Sequence, residues 1–347
     1  FEEEGLEVEI IRPTPPPKFG TDDPRRYDHH LVKSGNYQNL FEGRTCDGYR
    51  SCEWGQIRRT YDIQRPGPIA WKRAPVVCQA IYVRPDSPVN APNQLANMTV
   101  GVQFHQGSHY ATIAMLEGFL PPSMMKLVHA GTSAQRFEPL QTGEVDAATL
   151  VEPYITLADK NGFKRICETH YLGLENFAAD LEPEILQAIM RALNKAVKRI
   201  NADKKRYVHY LIDEMPEKYR KQLTPDDFYL PRLRHIDLAP YSREEFEYAS
   251  EWMKKWDLVP SDASARADVL AVLGAGGVDG VTGISEPTVD GLPLERSLEV
   301  LGAVRNVVRA LHGAVKLRPI RGARLDAVLA GRATFEPALS AYQQRNS

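Results

Sequence analysis

The 347-residue sequence predicts an α/β fold in which strands and helices alternate along the chain. Between residues 76 and 167, apolar runs of strand length are separated by single amphipathic helices, which is the pattern of a mainly parallel sheet. The hydrophobic fraction of 43% and the charged fraction of 25% are ordinary for a globular protein. The length allows two domains or one large two-lobed domain.

The first residues predict the end of a helix, a stop at Gly5 and a strand in which Leu6, Val8 and Ile10 alternate with glutamates. A proline-rich connector begins at residue 13. Further strands are predicted at 76–83, 98–104, 126–129, 145–151 and 164–167. Helices are predicted at 108–120, from Thr132 or Ser133 to Gly143, and after Pro153.

From residue 182 to 259 the pattern is helical. Apolar side chains between 185 and 200 fall on one helical face, and Ser242 with Glu245 forms a capping box for a helix that ends at Trp256. We expect the aromatic and methionine side chains of these helices to pack in the core.

Composition changes after about residue 263. Residues 264–347 contain one lysine against nine arginines, which predicts a separate, α-rich and Ala/Arg-rich extension of unknown role. A helix is predicted over 294–312. The glycines at 274–277 match a dinucleotide-binding motif only weakly, and the basic stretch at 300–325 is more typical of a solvated face than of a nucleic-acid site.

Charge and cysteine content exclude several classes of protein. The formal net charge of −2 does not favour a nucleic-acid partner, and no run of about 18 apolar residues predicts a transmembrane segment. The four cysteines are too few for a disulfide scaffold and lack zinc-site spacing, although a Cys46–Cys52 pair stays open.

The order of features up to Val259 resembles the NMT1/THI5-like group of type II periplasmic-binding-protein folds. The stretches that carry the resemblance are 1–10, 80–89, 95–118, 140–153 and 245–259. It implies two α/β lobes, a hinge and a ligand cleft between the lobes. We expect lobe one at 1–92, lobe two at 93–162, the return of lobe one at 163–260 and the extension at 264–347. The resemblance also implies that the first strand of lobe one, with its cleft loop, lies upstream of Phe1.

The family implies two functions. The first is a solute-binding protein of an ABC-type importer, outside the cytoplasm, which binds a small organic anion (sulfonate, carboxylate or aromatic acid) and has a permease as partner. The second is a cytoplasmic enzyme on the same fold that removes sulfinate or carboxylate from an aromatic ring, like the desulfinases and decarboxylases that the sequence also resembles. A weaker third hypothesis is a ligand sensor fused to the Arg-rich extension. No cofactor is expected.

A strand, a glycine and a helix start follow one another at residues 104–110, which predicts an anion seat at the helix N-terminus. Gly107 lets the backbone approach a ligand, while Ser108 either contacts it or caps its own helix. His105 and His109 flank the turn as hydrogen-bonding residues, and His105, or His109, is the proton donor of the enzyme hypothesis.

Two other places offer ligand contacts. The resemblance places Glu152 and Tyr154 in the cleft, where Glu152 contacts the ligand or only interacts with a helix dipole. In the stretch 45–59, Trp54 is an aromatic wall for a planar ligand.

Arginines near a thiol favour its thiolate, so Cys52 is the candidate nucleophile of the enzyme hypothesis and Arg59, or Arg58, its anion clamp. A structural cysteine is the alternative, because the family's nucleophile lies in a loop upstream of this chain. The run Asp28-His29-His30 is a metal-binding pattern or, more commonly, a solvated loop, and no metal site is expected.

Overall fold

The computed structural model describes residues 1–12, 14–32, 40–62, 65, 67, 69–260 and 314–319. The predicted helix at 294–312, the glycine-rich motif and most of the basic stretch lie outside these ranges. None of the helices in the described ranges has the length and apolar character needed to cross a bilayer.

The secondary structure of these ranges alternates as expected. The strands are β1 (Leu6–Ile11), β2 (Gly48–Cys52), β3 (Ile69–Val83), β4 (Thr99–Val102), β5 (Lys126–His129), β6 (Ala147–Val151), β7 (Lys164–Phe177), β8 (Arg234–His235) and β9 (Ala314–Pro319). The helices are α1 (Glu53–Tyr61), α2 (Gly107–Leu116), α3 (Ser133–Thr142), α4 (Tyr154–Lys160), α5 (Pro183–Ala202), α6 (His209–Asp213), α7 (Glu217–Arg220) and α8 (Arg243–Lys255).

One curled sheet carries both lobes. The strand order is β1-β9-β2-β7-β3-β6-β4-β5, and β8 pairs with β3 beside β6. The long strands β3 and β7 pair with each other and run through both lobes: β2 pairs with the lobe-one half of β7, and β6 pairs with the lobe-two half of β3. They are therefore the connection about which the lobes can hinge.

The sheet is not mainly parallel, which corrects the expectation from the sequence. Among the described strands only β4 pairs in parallel, with β5 and with β6, and the other pairs are antiparallel. The physical reason is that the strand predicted at 164–167 continues to Phe177. This 14-residue strand lies antiparallel along most of β3.

The described part of the C-terminal extension is a strand of this sheet. Strand β9 lies between β1 and β2, pairing with β1 from Leu6↔Pro319 to Ile11↔Ala314 and with β2 at Gly48↔Val315. Strand β9 therefore lies in the interior of the lobe-one sheet. The resemblance had implied that a strand upstream of Phe1 would be central there.

Separate apolar clusters support the two lobes. In lobe one, the amphipathic helix α5 packs its buried face against Leu6, Trp71 and Phe177. In lobe two, the sheet is covered on one face by α3, α4 and the segment after α5, and on the other by α2. Successive side chains of β3 point to opposite faces of the sheet there: Tyr82 packs in the cluster under α3 and α4, and Ile81 packs in the cluster under α2.

Residues 14–32 form a covering segment that lies across the edge of lobe two. The Pro16 carbonyl accepts a hydrogen bond of 3.0 Å from Gln135 Nε2, the Phe19 ring lies 4.8 Å from the His129 ring, and Arg26 forms an ion pair of 2.7 Å with Glu144. This covering segment shields the residues at that edge from solvent.

Candidate functional site

The candidate site lies at the carboxyl ends of the parallel strands β4, β6 and β5. The loops that leave these strands are 103–106, 152–153 and 130–132, and each leads into a helix. In α/β sheets ligands bind outside the carboxyl ends of parallel strands, because loops and helix N-termini meet there. We call this region the carboxyl-edge site.

The predicted anion seat is built at the start of α2. Gln106 is the N-cap residue, and Gly107 and Ser108 are the first two helical residues, both buried. A Cβ atom on Gly107 would be 2.0 Å from the Tyr171 hydroxyl oxygen and 3.0 Å from Gln79 Nε2. Because only a glycine fits, Tyr171 and the first N–H groups of α2 come together at one point.

Ser108 does not cap its own helix. Its Oγ accepts a hydrogen bond of 2.9 Å from the Gln103 N–H, which fixes the loop that leaves β4. The alternative kept open from the sequence, a self-capping serine, is therefore wrong, and the hydroxyl stays close to the seat.

A buried arginine that the sequence analysis did not single out completes the cationic side of the site. Arg136 of α3 is 3% exposed. It donates hydrogen bonds to the carbonyls of Thr149 and Gly131 (2.7 Å) and to Ser133 Oγ (2.9 Å). Within the described ranges it forms no ion pair with a carboxylate. Burial lowers the pKa of Arg136 to about 9, so the guanidinium is still charged at neutral pH.

Several polar atoms around Arg136 and Gly107 are buried and have no hydrogen-bond partner among the described residues. They are Gln79 Oε1, His105 Nδ1, Gln106 Nε2, His129 Nε2 and the Tyr154 hydroxyl. A buried polar atom without a partner costs about 1–3 kcal/mol. Such a concentration at the carboxyl ends of three strands is typical of a site that a polar ligand fills.

Histidines line one wall of the site. His105 has a left-handed backbone (φ 58°), and its Nε2 donates to the His29 carbonyl at 2.7 Å, so its proton is on Nε2. Burial lowers the pKa of His105 and of His129 to about 4, and that of His109 well below its usual value. All three are therefore neutral at pH 7. His109 packs against Phe104 and His29 beside the seat.

The predicted aromatic wall faces the seat from lobe one. Trp54 of α1 is half-buried, with its ring 5.1 Å from Tyr171, 5.8 Å from Tyr110 of α2 and 5.8 Å from Trp252. Tyr171 therefore contributes its hydroxyl to the seat and its ring to the aromatic cluster.

Glu152 and Tyr154 stand at the end of β6, but their surroundings differ. The Glu152 carboxylate pairs with Arg232 at 2.8 Å and accepts hydrogen bonds from the Thr156 N–H and hydroxyl. Both side chains of this pair are at least 93% buried, since 7% and 6% remain exposed. Tyr154 stands with Phe137 and Tyr219 at the start of α4, and burial raises the pKa of its hydroxyl.

Cys52 and Arg59 are engaged by partners in and beside α1, although Cys52 packs in the same apolar cluster as Trp54 and Tyr171. Cys52 is the N-cap of α1 and its Sγ accepts from the Gly55 N–H at 3.3 Å, while Cys46 is also a free thiol, so no disulfide joins them. Arg59 pairs with Glu42 at 2.8 Å and lies over the Phe41 ring within lobe one. Arg58 binds Asp62 and the Leu258 carbonyl.

The run Asp28-His29-His30 forms part of the covering segment. One ligand atom from each lies within 4.8 Å of the others, and His30 Nε2 is 3.1 Å from Asp257 Oδ2. Asp28 and His30 are exposed, whereas the His29 ring is half-buried and packs against His105 and His109, so the run is not simply a solvated loop.

The residues of the carboxyl-edge site that the sequence analysis missed are Arg136, Gln79 and Tyr171. The one available signal was the position of Arg136, four residues after the Thr132 cap in a helix that follows a strand. Gln79 and Tyr171 lie inside long strands and give no local signal, because only the pairing of β3 with β7 brings them to α2.

The comparisons with known proteins agree with this architecture. The alkanesulfonate-binding protein SsuA from Xanthomonas axonopodis pv. citri, solved with MOPS, aligns with a TM-score of 0.56 and 13% identity over 68% of this chain and 84% of that chain. The aliphatic sulphonate-binding protein SsuA from Escherichia coli aligns with a TM-score of 0.52 and 15% identity over 74% of this chain and 81% of that chain. The sulfonate-binding protein SsuA from Methylobacillus flagellatus KT aligns with a TM-score of 0.52 and 17% identity over 74% of this chain and 82% of that chain.

These similarities show a two-lobed fold of the type II periplasmic-binding-protein class. No family model and no curated protein matches the sequence.

Proposed function

We propose that this protein binds a small organic anion at the carboxyl-edge site, as a solute-binding protein of the NMT1/THI5-like type. The observation that carries the proposal is the Arg136 guanidinium, which is buried, charged and without a carboxylate partner among the described residues. A buried charge is costly unless it is paired, so a bound anion would stabilise this arrangement.

The acidic group of the ligand would lie between Arg136 and the start of α2. The first N–H groups of a helix are unsatisfied within it and attract negative charge, and a guanidinium binds sulfonate or carboxylate oxygens through two parallel donors. Three of the five N–H donors of Arg136 are used by described residues, which leaves two for a ligand.

The apolar part of the ligand would contact Trp54 and the Tyr171 ring. Aromatic side chains hold flat apolar groups by stacking and by burial of their surface. The proposal therefore favours an aromatic or otherwise flat acid. Trp54 belongs to lobe one and Arg136 to lobe two, so the ligand would join the lobes and favour closure about β3 and β7.

In this role the partner would be an ABC permease and the protein would act outside the cytoplasm. The support is the shared fold and the sulfonate binding of the structurally similar SsuA proteins. Three observations weigh against the enzyme hypothesis for these residues. Cys52 caps a helix, Arg59 is paired inside lobe one, and His105 is a weak acid–base group at neutral pH because its pKa is about 4.

A ligand screen tests the proposal. Thermal unfolding of the purified protein would be followed with benzenesulfonate, benzenesulfinate, benzoate and ethanesulfonate, with neutral benzenesulfonamide as control. At 100 times the Kd a ligand stabilises by about 2.7 kcal/mol, so anions should raise Tm and the amide should not. The released ligand is then identified: an intact anion supports binding, and one recovered without its acidic group would establish the enzyme instead. No shift with any anion would overturn the proposal.

A further inference from the structure

A second cluster of chemically active side chains lies on the long strands, outside the carboxyl-edge site. One ligand atom each from Cys78, Glu168 and His170 lies within 4.8 Å of the others. Cys78 is buried, His170 is half-buried and Glu168 is exposed, so the cluster runs from the core to the surface. None of these residues has a role in the anion site.

The register of β3 and β7 places the three side chains of this cluster together. Cys78 of β3 is directly opposite His170 of β7, and Ala80 is opposite Glu168. Because side chains alternate between the faces of a sheet, Glu168 and His170 are on the same face, and directly opposed residues share a face as well. The register is regular between Val76 and Ile81, so the three donors are held on one face without a bulge.

The types of the three ligand atoms indicate which metal the cluster would bind. A thiolate, an imidazole and a carboxylate are the three ligand types of Zn²⁺, with bonds of about 2.0–2.3 Å, while Mg²⁺ and Ca²⁺ prefer oxygen alone. Two of the donors, on Glu168 and His170, can adjust because they are not fully buried. Three protein ligands leave a fourth position of a tetrahedral zinc ion for water.

Two arginines near the cluster form ion pairs, whereas Arg234 of β8, which lies near His170, is exposed and has no ion pair among the described residues. Arg165 pairs with Asp159 at 2.8 Å and with Glu168 Oε2 at 2.7 Å, and Arg232 pairs with Glu152. A carboxylate accepts at both oxygens, so Glu168 can keep Arg165 while its other oxygen binds a metal.

We propose that Cys78, Glu168 and His170 form a binding site for a Zn²⁺-type divalent transition metal that joins β3 to β7. On binding, the Cys78 thiol releases its proton to solvent and its sulfur becomes a metal ligand. The site would brace the two strands that connect the lobes.

Metal titration of the full-length protein tests this. After treatment with a chelator, the protein would be titrated with Zn²⁺ by calorimetry and with Co²⁺ by absorption, where a thiolate ligand gives a charge-transfer band. We expect one ion per chain, a thiolate band with Co²⁺ and a higher Tm with Zn²⁺. Loss of an outer-shell partner alone costs roughly 10–100-fold in affinity, so Cys78→Ser and His170→Asn should weaken binding by more than about 100-fold.

The matched control is Cys167→Ser. Cys167 precedes Glu168 on β7 and packs in the cluster on the opposite face, so its loss should leave both the affinity and the cobalt band unchanged. If Cys78→Ser does not fold, His170→Asn, at a half-buried position, still decides the question. Absence of binding, loss of the band in Cys167→Ser, or binding abolished by His30→Asn and not by His170→Asn would overturn the proposal.

Discussion

The hydroxyl group of Tyr171 occupies the place that a side chain on Gly107 would need. A Cβ at Gly107 would lie 2.0 Å from that oxygen and 2.9 Å from the ring carbon that bears it. The glycine therefore allows β7 and the first turn of α2 to meet at the anion seat. Its φ is not in the left-handed region, so the requirement is space and not backbone conformation.

Gly107→Ala should lower anion affinity without unfolding the protein. The added methyl group displaces the Tyr171 side chain, whereas the backbone of Gly107 has no positive φ that alanine would strain. We expect benzenesulfonate binding to weaken by at least about 10-fold, measured by calorimetry. Gly118→Ala is the matched control because nothing lies within 4 Å of its Cβ. Equal affinity in both variants would refute the role of this contact.

Stability should fall as pH drops from 7 toward 4. His105 and His129 have folded-state pKa values of about 4, below the unfolded value of about 6.5. In this window the unfolded chain binds protons that the folded protein does not, so each histidine removes up to about 3 kcal/mol as the pH falls. Urea unfolding at pH 7 and pH 5 should give a smaller difference for His129→Asn than for the wild type.

His209→Asn serves as the control for that series. His209 lies on α6 with its ring against Tyr210, outside the histidine cluster. Its substitution should leave the pH dependence as it is in the wild type. An unchanged slope in His129→Asn would show that burial does not hold this histidine neutral.

Glu152→Gln should destabilise the protein without weakening anion binding. It leaves the buried Arg232 beside a neutral amide, with the Asp159 carboxylate at 3.6 Å as its remaining partner among the described residues, and breaking a buried pair costs up to about 3–5 kcal/mol. Glu152→Gln combined with Arg232→Met should recover part of this loss in urea unfolding. The sequence hypothesis that Glu152 contacts the ligand predicts the opposite pattern, with reduced affinity and unchanged stability.

Val315→Pro should destabilise lobe one. Val315 is the residue of β9 that stands opposite both Ile10 of β1 and Gly48 of β2. Proline removes its N–H, and an unsatisfied backbone partner costs about 1–3 kcal/mol. Val315→Ala keeps the N–H and should retain more stability in urea unfolding. Equal stability of the two variants would show that β9 does not contribute to the sheet.

Lobe two could be predicted closely because its element ends carry local signals. Strand β5 begins and ends where its apolar run does, and α3 lies between its Thr132 cap and Gly143, whose φ is 82°. Local signals of the same kind predicted the start of α2, where Gly107 and Ser108 are the first two helical residues.

The remaining features depend on contacts between residues far apart in the chain. Strand β7 passes from half-exposed residues in lobe two to buried ones in lobe one, so it has no single alternating pattern. An arginine one turn into a helix usually faces solvent, and only the packing of α3 onto β6 buries Arg136. Strand β9 pairs with β1 across about 300 residues, which no local pattern can indicate.

The most direct test of the account is calorimetric titration of the wild type and Arg136→Gln with benzenesulfonate. Hydrogen bonds to a charged group contribute about 1.5–3 kcal/mol, so the variant should bind about 10- to 100-fold more weakly. Arg84→Gln, just after the end of β3 and paired with Asp86 at 3.5 Å, should bind like the wild type. Wild-type affinity in a folded Arg136→Gln protein would contradict the claim that this buried guanidinium holds the anion.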